Sequence, residues 1–168
     1  MATTLLLTGE DITKNTIING NVDKSKYQSD IKTCQNLMIK PLLGEELYNK
    51  ICSDYEDTLN GTGTGLTGSY YMMYEDYIKE MVIHGSTEIY LNHAAYTVSN
   101  SGVSKLVSQN GATSVNKDEI DFLIQSSRKL YNLYKDEFLK WIDTVSISEW
   151  NGCITPSSKK RNYGGWRL

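Results

Sequence analysis

The stretch that decides the fold spans residues 69–99 and reads SYYMMYEDYIKEMVIHGSTEIYLNHAAYTVS. Apolar and aromatic residues recur in it at helical spacing, and no proline interrupts them. Side chains with this spacing share one face of an α-helix, so the stretch predicts one long central helix of about 45 Å. The apolar positions are Tyr70, Met73, Tyr74, Tyr77, Ile78, Met81, Val82, Ile89, Leu91, Ala94, Ala95, Tyr96 and Val98. Because they cover more than one face, we expect other elements to surround this helix.

Further helices are predicted on both sides of the central one. Asp23 can cap a first helix that Pro41 ends, and a second, shorter helix is expected over about residues 45–54. A polar, glycine-rich loop over residues 56–68 precedes the central helix. A last helix, which follows residue 116, has apolar residues three and four apart up to Val145. The sequence therefore predicts a mainly α fold, with a bundle of about four helices over residues 23–145.

Both ends of the chain lack a helical period. Residues 1–22 mix β-branched and turn-forming residues, and we expect an extended N-terminal arm. Asn110-Gly111, between two β-prone runs, predicts a small β-hairpin excursion over about residues 100–116. Residues 146–168 contain two tryptophans among Gly, Ser, Pro and Lys, an unusual composition for a wholly disordered tail. We therefore expect them to form a C-terminal arm that becomes ordered against another molecule.

Composition limits the class of protein. A chain of 168 residues, 39% of them hydrophobic, is sufficient for one core and not for two domains. The net charge of -3 opposes nucleic-acid binding through an overall basic field. Cys34, Cys52 and Cys153 are odd in number and far apart, so reduced thiols are expected. No run resembles a secretory signal or a membrane span, and we expect a soluble protein made in a cytoplasm, without contact to a membrane.

Two patterns deserve a chemical interpretation, and neither predicts a reactive site. Residues 63–68 match G-x-G-x-x-G, but an acidic, helix-like segment precedes them instead of the buried strand that a dinucleotide site needs. Glu80, His84 and Glu88 share a helical face and could bind a metal or act in acid–base chemistry, although a solvated stripe is the more common meaning. We expect no enzyme and no cofactor; a small helical metal-binding protein or enzyme stays open as an alternative.

The candidate partner-binding residues lie near the C-terminus. They are Trp150, Ile154, Lys159, Lys160, Arg161, Tyr163, Trp166, Arg167 and Leu168. Cations interleaved with aromatic rings suit docking onto an acidic neighbouring subunit, and they also suit phosphate binding and base stacking. Docking onto a partner is the preferred interpretation, while a solvated charge run and a nucleic-acid-binding accessory protein remain alternatives.

One segment carries a resemblance to a known family. Asp30-Ile31 through Gln35 and then MIKPLLGEELY at residues 38–48 predict a helix, an apolar-Pro-Leu-Gly turn and a second helix that begins near a Leu-Tyr pair. This order resembles the start of the head-to-tail connector (adaptor) proteins of tailed bacteriophages, in the versions found in phages of Bacteroidetes hosts. The later order of long helix, short excursion and aromatic-rich helix is also similar. Compared with typical members, the loop at residues 60–68 and the tail at residues 150–168 are long.

The resemblance implies a structural virion protein at the head–tail junction. It implies a homo-oligomeric ring, expected to be dodecameric, that binds the portal protein and docks neighbouring tail or connector proteins. DNA would pass through the ring without sequence-specific binding. Two uncovered arms suit contacts in which each copy reaches over its neighbour, and mild acidity suits a conduit because a basic wall would retain phosphates.

Overall fold

A computed structural model of the chain describes residues 4–16, 24–93, 96–99, 102–105 and 117–151. The fold is mainly helical, as predicted. The helices are α1 (Gly9–Asn15), α2 (Lys24–Cys34), α3 (Lys40–Leu43), α4 (Glu45–Asn60), α5 (Gly68–Met73), α6 (Lys79–His93) and α7 (Lys117–Ile142). The strands are β1 (Tyr96–Ser99) and β2 (Gly102–Lys105).

Two π-helical segments join four of these helices into two longer rods. Gln35–Ile39 connects α2 to α3, and Tyr74–Ile78 connects α5 to α6. Each segment starts with a buried side chain that carries a hydrogen-bonding group, Gln35 in the first and Tyr74 in the second. Single π-helical turns inside α-helices often redirect side chains at sites with a special role. Here both redirected side chains reach the N-terminal segment of the chain.

The central helix is shorter in the structure than the sequence predicts. Helical backbone continues from Gly68 to His93, but Tyr96–Ser99 form strand β1, which pairs antiparallel with β2. Val98 lies opposite Val103 in this register, and adjacent β-branched residues such as Thr97 and Val98 favour extended backbone. The prediction of a helix up to residue 99 is therefore wrong at its end. The turn predicted at Asn110-Gly111 lies outside the described residues.

The described part of the expected N-terminal arm is folded onto the helices, so that prediction is wrong for residues 4–16. Thr8 starts α1 with a capping box: its hydroxyl accepts from Asp11 N at 3.3 Å, and its own N–H donates to Asp11 Oδ2 at 2.9 Å. Leu6, Leu7 and Ile12 are fully buried in the common core. Burial of these side chains stabilises the fold by about 2 kcal/mol each. The segment is therefore ordered although its sequence lacks a long helical period.

A buried amide holds this segment in place. Gln35 is completely buried; its Oε1 accepts from Leu6 N at 2.9 Å, and its Nε2 donates to Thr4 O at 3.1 Å and to Tyr48 Oη at 3.0 Å. Tyr74 completes the contact by donating its hydroxyl to Leu6 O at 2.7 Å. Burial raises the pKa of Tyr48 to about 12, so its hydroxyl stays protonated at neutral pH. We call these four contacts the Leu6 clamp.

Helix α6 packs against both α2 and α7, and a glycine allows the close approach. A Cβ atom at Gly85 would lie 2.6 Å from Cys34 Sγ, 3.2 Å from Met38 Sδ and 3.4 Å from a ring carbon of Tyr131. No larger residue fits there without displacing its neighbours. Burial raises the pKa of the Cys34 thiol to about 12, which leaves it protonated and unreactive at neutral pH.

Replacing Gln35 should weaken the whole fold. Gln35→Met keeps the side-chain length but leaves the Leu6 N–H, the Thr4 carbonyl and the Tyr48 hydroxyl without this partner, and we expect a loss of about 2–4 kcal/mol in the free energy of unfolding. Urea titration followed by circular dichroism measures it. The matched control is Gln28→Met, on the exposed face of α2. Equal midpoints for the two variants would contradict the clamp.

Gly85→Ala should destabilise the protein by about 1–3 kcal/mol, because the added methyl overlaps the Cys34 sulfur. The better helix propensity of alanine offsets less than about 1 kcal/mol of this. In a double-mutant cycle, adding Cys34→Ala should recover part of the loss by making room for the methyl. A cycle with purely additive costs would show that Gly85 is not the point of close approach.

Candidate functional site

The side chains of the row Glu80, His84 and Glu88 contact different neighbours. The His84 ring stacks on Tyr134 of α7 at 5.8 Å between centroids, and its Nε2 lies 3.6 Å from Glu80 Oε2. Glu88 instead binds Arg128 of α7, with Nη2 at 2.6 Å from Oε1. The row therefore connects α6 to α7, and its three side chains do not converge on a common point.

Burial governs the charges in this row. It lowers the pKa of His84 below the usual imidazole value of 6.5 and raises the pKa of Glu80 above the usual carboxyl value of 4.5. Among the described residues, no three His, Cys, Asp or Glu side chains come together in an arrangement suited to a metal ion. The second histidine, His93, binds Asp30 Oδ1 through its Nε2 at 2.9 Å, at the far end of α6.

The glycine-rich loop has a structural use. Helix α4 leads into it, so the strand that a dinucleotide site needs does not precede these glycines. Gly61, Gly63 and Gly65 have positive φ, which glycine adopts without strain. The loop is tied back to α4, because Thr58 Oγ1 accepts from Leu66 N at 2.9 Å and the Leu66 side chain is buried. It is thus an ordered connection between α4 and α5.

Only one of the nine candidate partner-binding residues is among the described residues. Trp150 lies half-buried on the body, edge-on to Phe138 at 5.6 Å between ring centroids. On either side of it, Glu149 accepts from Tyr70 Oη at 2.6 Å, and Asn151 donates to Glu46 Oε2 at 3.2 Å. The beginning of the expected C-terminal arm is therefore part of the body. The other eight lie outside the described residues: Ile154, Lys159, Lys160, Arg161, Tyr163, Trp166, Arg167 and Leu168.

Helix α7 carries an exposed apolar stripe that was not predicted from the sequence. Phe122, Leu130 and Leu133 are 69%, 37% and 51% exposed. Phe122 and Leu133 are eleven residues apart, which is about three helical turns, so they lie on the same face. Tyr131 and Phe138 of the same helix are buried and point into the core. We call Phe122, Leu130 and Leu133 the α7 stripe.

A groove of about 410 Å³ adjoins the stripe. It is lined by Leu123 and Leu130 of α7, by His84 and Thr87 of α6 and by Lys14 near the end of α1. Leu130 belongs to both the groove and the stripe, so the two form one continuous surface. Contiguous exposed apolar surface of this kind commonly marks a contact with another protein segment.

The buried state of His84 should make stability depend on pH. Since its pKa is lowered on folding, the unfolded chain takes up a proton first as the pH falls through 6.5, and the free energy of unfolding should decrease. His84→Phe keeps a ring against Tyr134 but cannot titrate, and it should flatten this decrease. Urea midpoints at about pH 8 and about pH 6 measure the effect. An unchanged difference between the two midpoints in the variant would contradict it.

Comparison with known proteins gives one family. No curated protein and no solved structure matches the chain. In the described part of the chain, no helix has the length and apolar character needed to cross a membrane. The family model that matches covers residues 39–160, from the first π-helical segment through α7 and beyond. The chain therefore belongs to DUF6712, a family of unknown function.

Proposed function

We propose that this protein is a subunit of a head-to-tail connector ring in a tailed bacteriophage. In this role it binds the portal, extends the channel for DNA and provides a docking surface for the tail, and it is located at the head–tail junction of the virion. The ring is expected to contain twelve copies. The protein acts through surface contacts between rigid subunits and not through catalysis.

The observation that carries the proposal is the geometry of the segment that bears the family resemblance. Pro41 lies in the first turn of α3, which ends at Leu43, and Gly44 turns the chain with φ of 79°. Helix α4 begins at Glu45, and its buried Leu47 and Tyr48 are the Leu-Tyr pair of the resemblance. Helical backbone thus continues through Pro41 to Leu43 instead of ending at the proline, the chain turns at Gly44, and the second helix follows at Glu45 as predicted.

The packing of the helices and the place of the candidate partner-binding residues also support a structural role. Helices α2, α6 and α7 pack closely around Gly85, and close packing of this kind favours a rigid subunit. Residues 152–168 hold eight of the candidate partner-binding residues, and the described residues end before them at Asn151. A subunit of this kind can form head-to-tail contacts that close into a ring.

Removing residues 152–168 should separate folding from assembly. The truncated protein keeps Ile147, Trp150 and all described contacts, so we expect an unchanged urea midpoint and helical circular dichroism. It should lose ring formation and attachment to the portal, measured by mass photometry with and without portal protein. A truncated chain that still assembles normally would contradict the role proposed for residues 152–168.

A charge variant separates this function from nucleic-acid binding. Lys159→Ser, Lys160→Ser and Arg161→Ser together remove three cations from residues 152–168, and the matched control replaces Lys24, Lys26 and Lys32 on α2 with serine. For a connector, the tail variant should weaken assembly more than the control. If instead it assembles normally but loses salt-sensitive DNA binding, the accessory nucleic-acid function replaces the connector.

A further inference from the structure

The α7 stripe is an apolar surface that the described body leaves uncovered. Phe122 and Leu133 lie on the face of α7 opposite the buried Phe138, and both are more than half exposed. Leu130 lies at the edge of this face, where the groove between α7 and α6 begins. Three exposed large apolar side chains along about 17 Å of helix cost solubility unless another segment covers them. The adjoining groove gives the stripe a concave edge, which suits an inserted side chain better than a flat contact does.

Residues 152–168 have the composition to cover such a surface. They include Ile154, Tyr163, Trp166 and Leu168, apolar and aromatic side chains of the type that dominates the centre of protein interfaces. A tryptophan or tyrosine gives large contact area at low cost in side-chain entropy. Seventeen residues span up to about 56 Å when extended, enough to reach a neighbouring copy.

Charge favours the same pairing. Residues 152–168 carry four of the 17 Lys and Arg residues and none of the 20 Asp and Glu residues, so residues 1–151 carry 13 cations against 20 anions, a net charge of −7. Near the stripe, Asp136 and Glu137 are exposed one turn beyond Leu133. By net charge, a cationic segment is therefore attracted to the body of any copy. Beside the stripe the charges are mixed, because Arg128 and Lys129 line the same surface as Asp136.

The exit point of the tail favours a second copy over the same copy. The described chain ends at Asn151, which is bound to Glu46 at the start of α4, directly after Trp150 has packed on Phe138. Phe138 points into the core, so the described chain ends on the core side of α7. Phe122 and Leu133 lie on the opposite side of this helix, so a segment that starts after Asn151 has to pass around α7 to reach these two side chains of its own copy.

We propose that the α7 stripe and its groove bind residues 152–168 of a second copy of this chain. The apolar and aromatic side chains of that segment lie on Phe122, Leu130 and Leu133, and its cations lie near Asp136 and Glu137. The contact joins two different surfaces, so it propagates from copy to copy and closes into a ring when the rotation allows. The inference rests on the proposed function, because the contact it names is the one that would hold the connector ring together.

Photo-crosslinking in the full-length chain tests the contact. A benzoylphenylalanine replaces Leu133, and equal amounts of ¹⁴N- and ¹⁵N-labelled protein are mixed before irradiation. We expect crosslinked peptides that join α7 to residues 152–168 with mixed isotopes, which shows that they come from different copies. The matched control places the same group at Leu59, an exposed apolar residue of α4 that is 61% accessible and not part of the stripe. It should give no such product.

A substitution gives a second measurement. Leu133→Asp places a charge in the stripe at an exposed position, so the body should keep its urea midpoint, while self-association should weaken by about tenfold or more. Leu59→Asp is the control and should leave self-association unchanged. Sedimentation over a concentration series measures both variants.

The outcomes separate this inference from the proposed function. Crosslinks within one copy, crosslinks between two α7 stripes, or no crosslinks above the Leu59 control would each overturn the inference. If a ring forms and any of these results is found, the connector function stands and the contact lies elsewhere. If mixed-isotope crosslinks to residues 152–168 form in an open filament or a small oligomer, the contact stands and the ring is wrong.

Discussion

The fold depends on how the backbone of one residue, Leu6, is held. Leu6 gives its N–H to Gln35 and accepts at its carbonyl from Tyr74, and each of these side chains begins a π-helical segment in a different rod. An amide buried in an apolar core is tolerated only when its hydrogen-bonding groups are satisfied, and Gln35 meets this demand through Leu6, Thr4 and Tyr48. The N-terminal segment is thereby part of the core.

The sequence predicted the mainly helical character of the fold because helical signals are local. The turn at Gly44 and the start of α4 follow from the neighbouring residues, as does the helical period through α6. The Leu6 clamp could not be predicted in this way, because Gln35 and its partner Leu6 are 29 residues apart. A single glutamine in an apolar pattern does not indicate which residue it will contact. The central helix was predicted to be too long for a similar reason. Tyr96–Ser99 are extended because they pair with β2, and the helical period of the sequence does not contain this pairing.

The candidate surface was only half visible in the sequence. The chemistry of the tail could be read directly, because interleaved cations and aromatic rings need no fold to be recognised. The α7 stripe needed the structure, which shows that Tyr131 and Phe138 occupy the core and that Phe122 and Leu133 do not. The signal that predicts it is the second apolar row on α7, off the core face. The net charge of −7 on residues 1–151 and the four cations of residues 152–168 support the proposal that copies of this chain bind one another.

The central claim is that neighbouring copies are joined by residues 152–168. Electron cryo-microscopy of the assembled particle, purified alone and with portal protein, tests it most directly. The account predicts a closed ring in which density for residues 152–168 leaves each copy after Asn151 and lies on α7 of the next. A monomer whose residues 152–168 fold back onto their own body, or a ring in which α7 faces solvent uncovered, would contradict it.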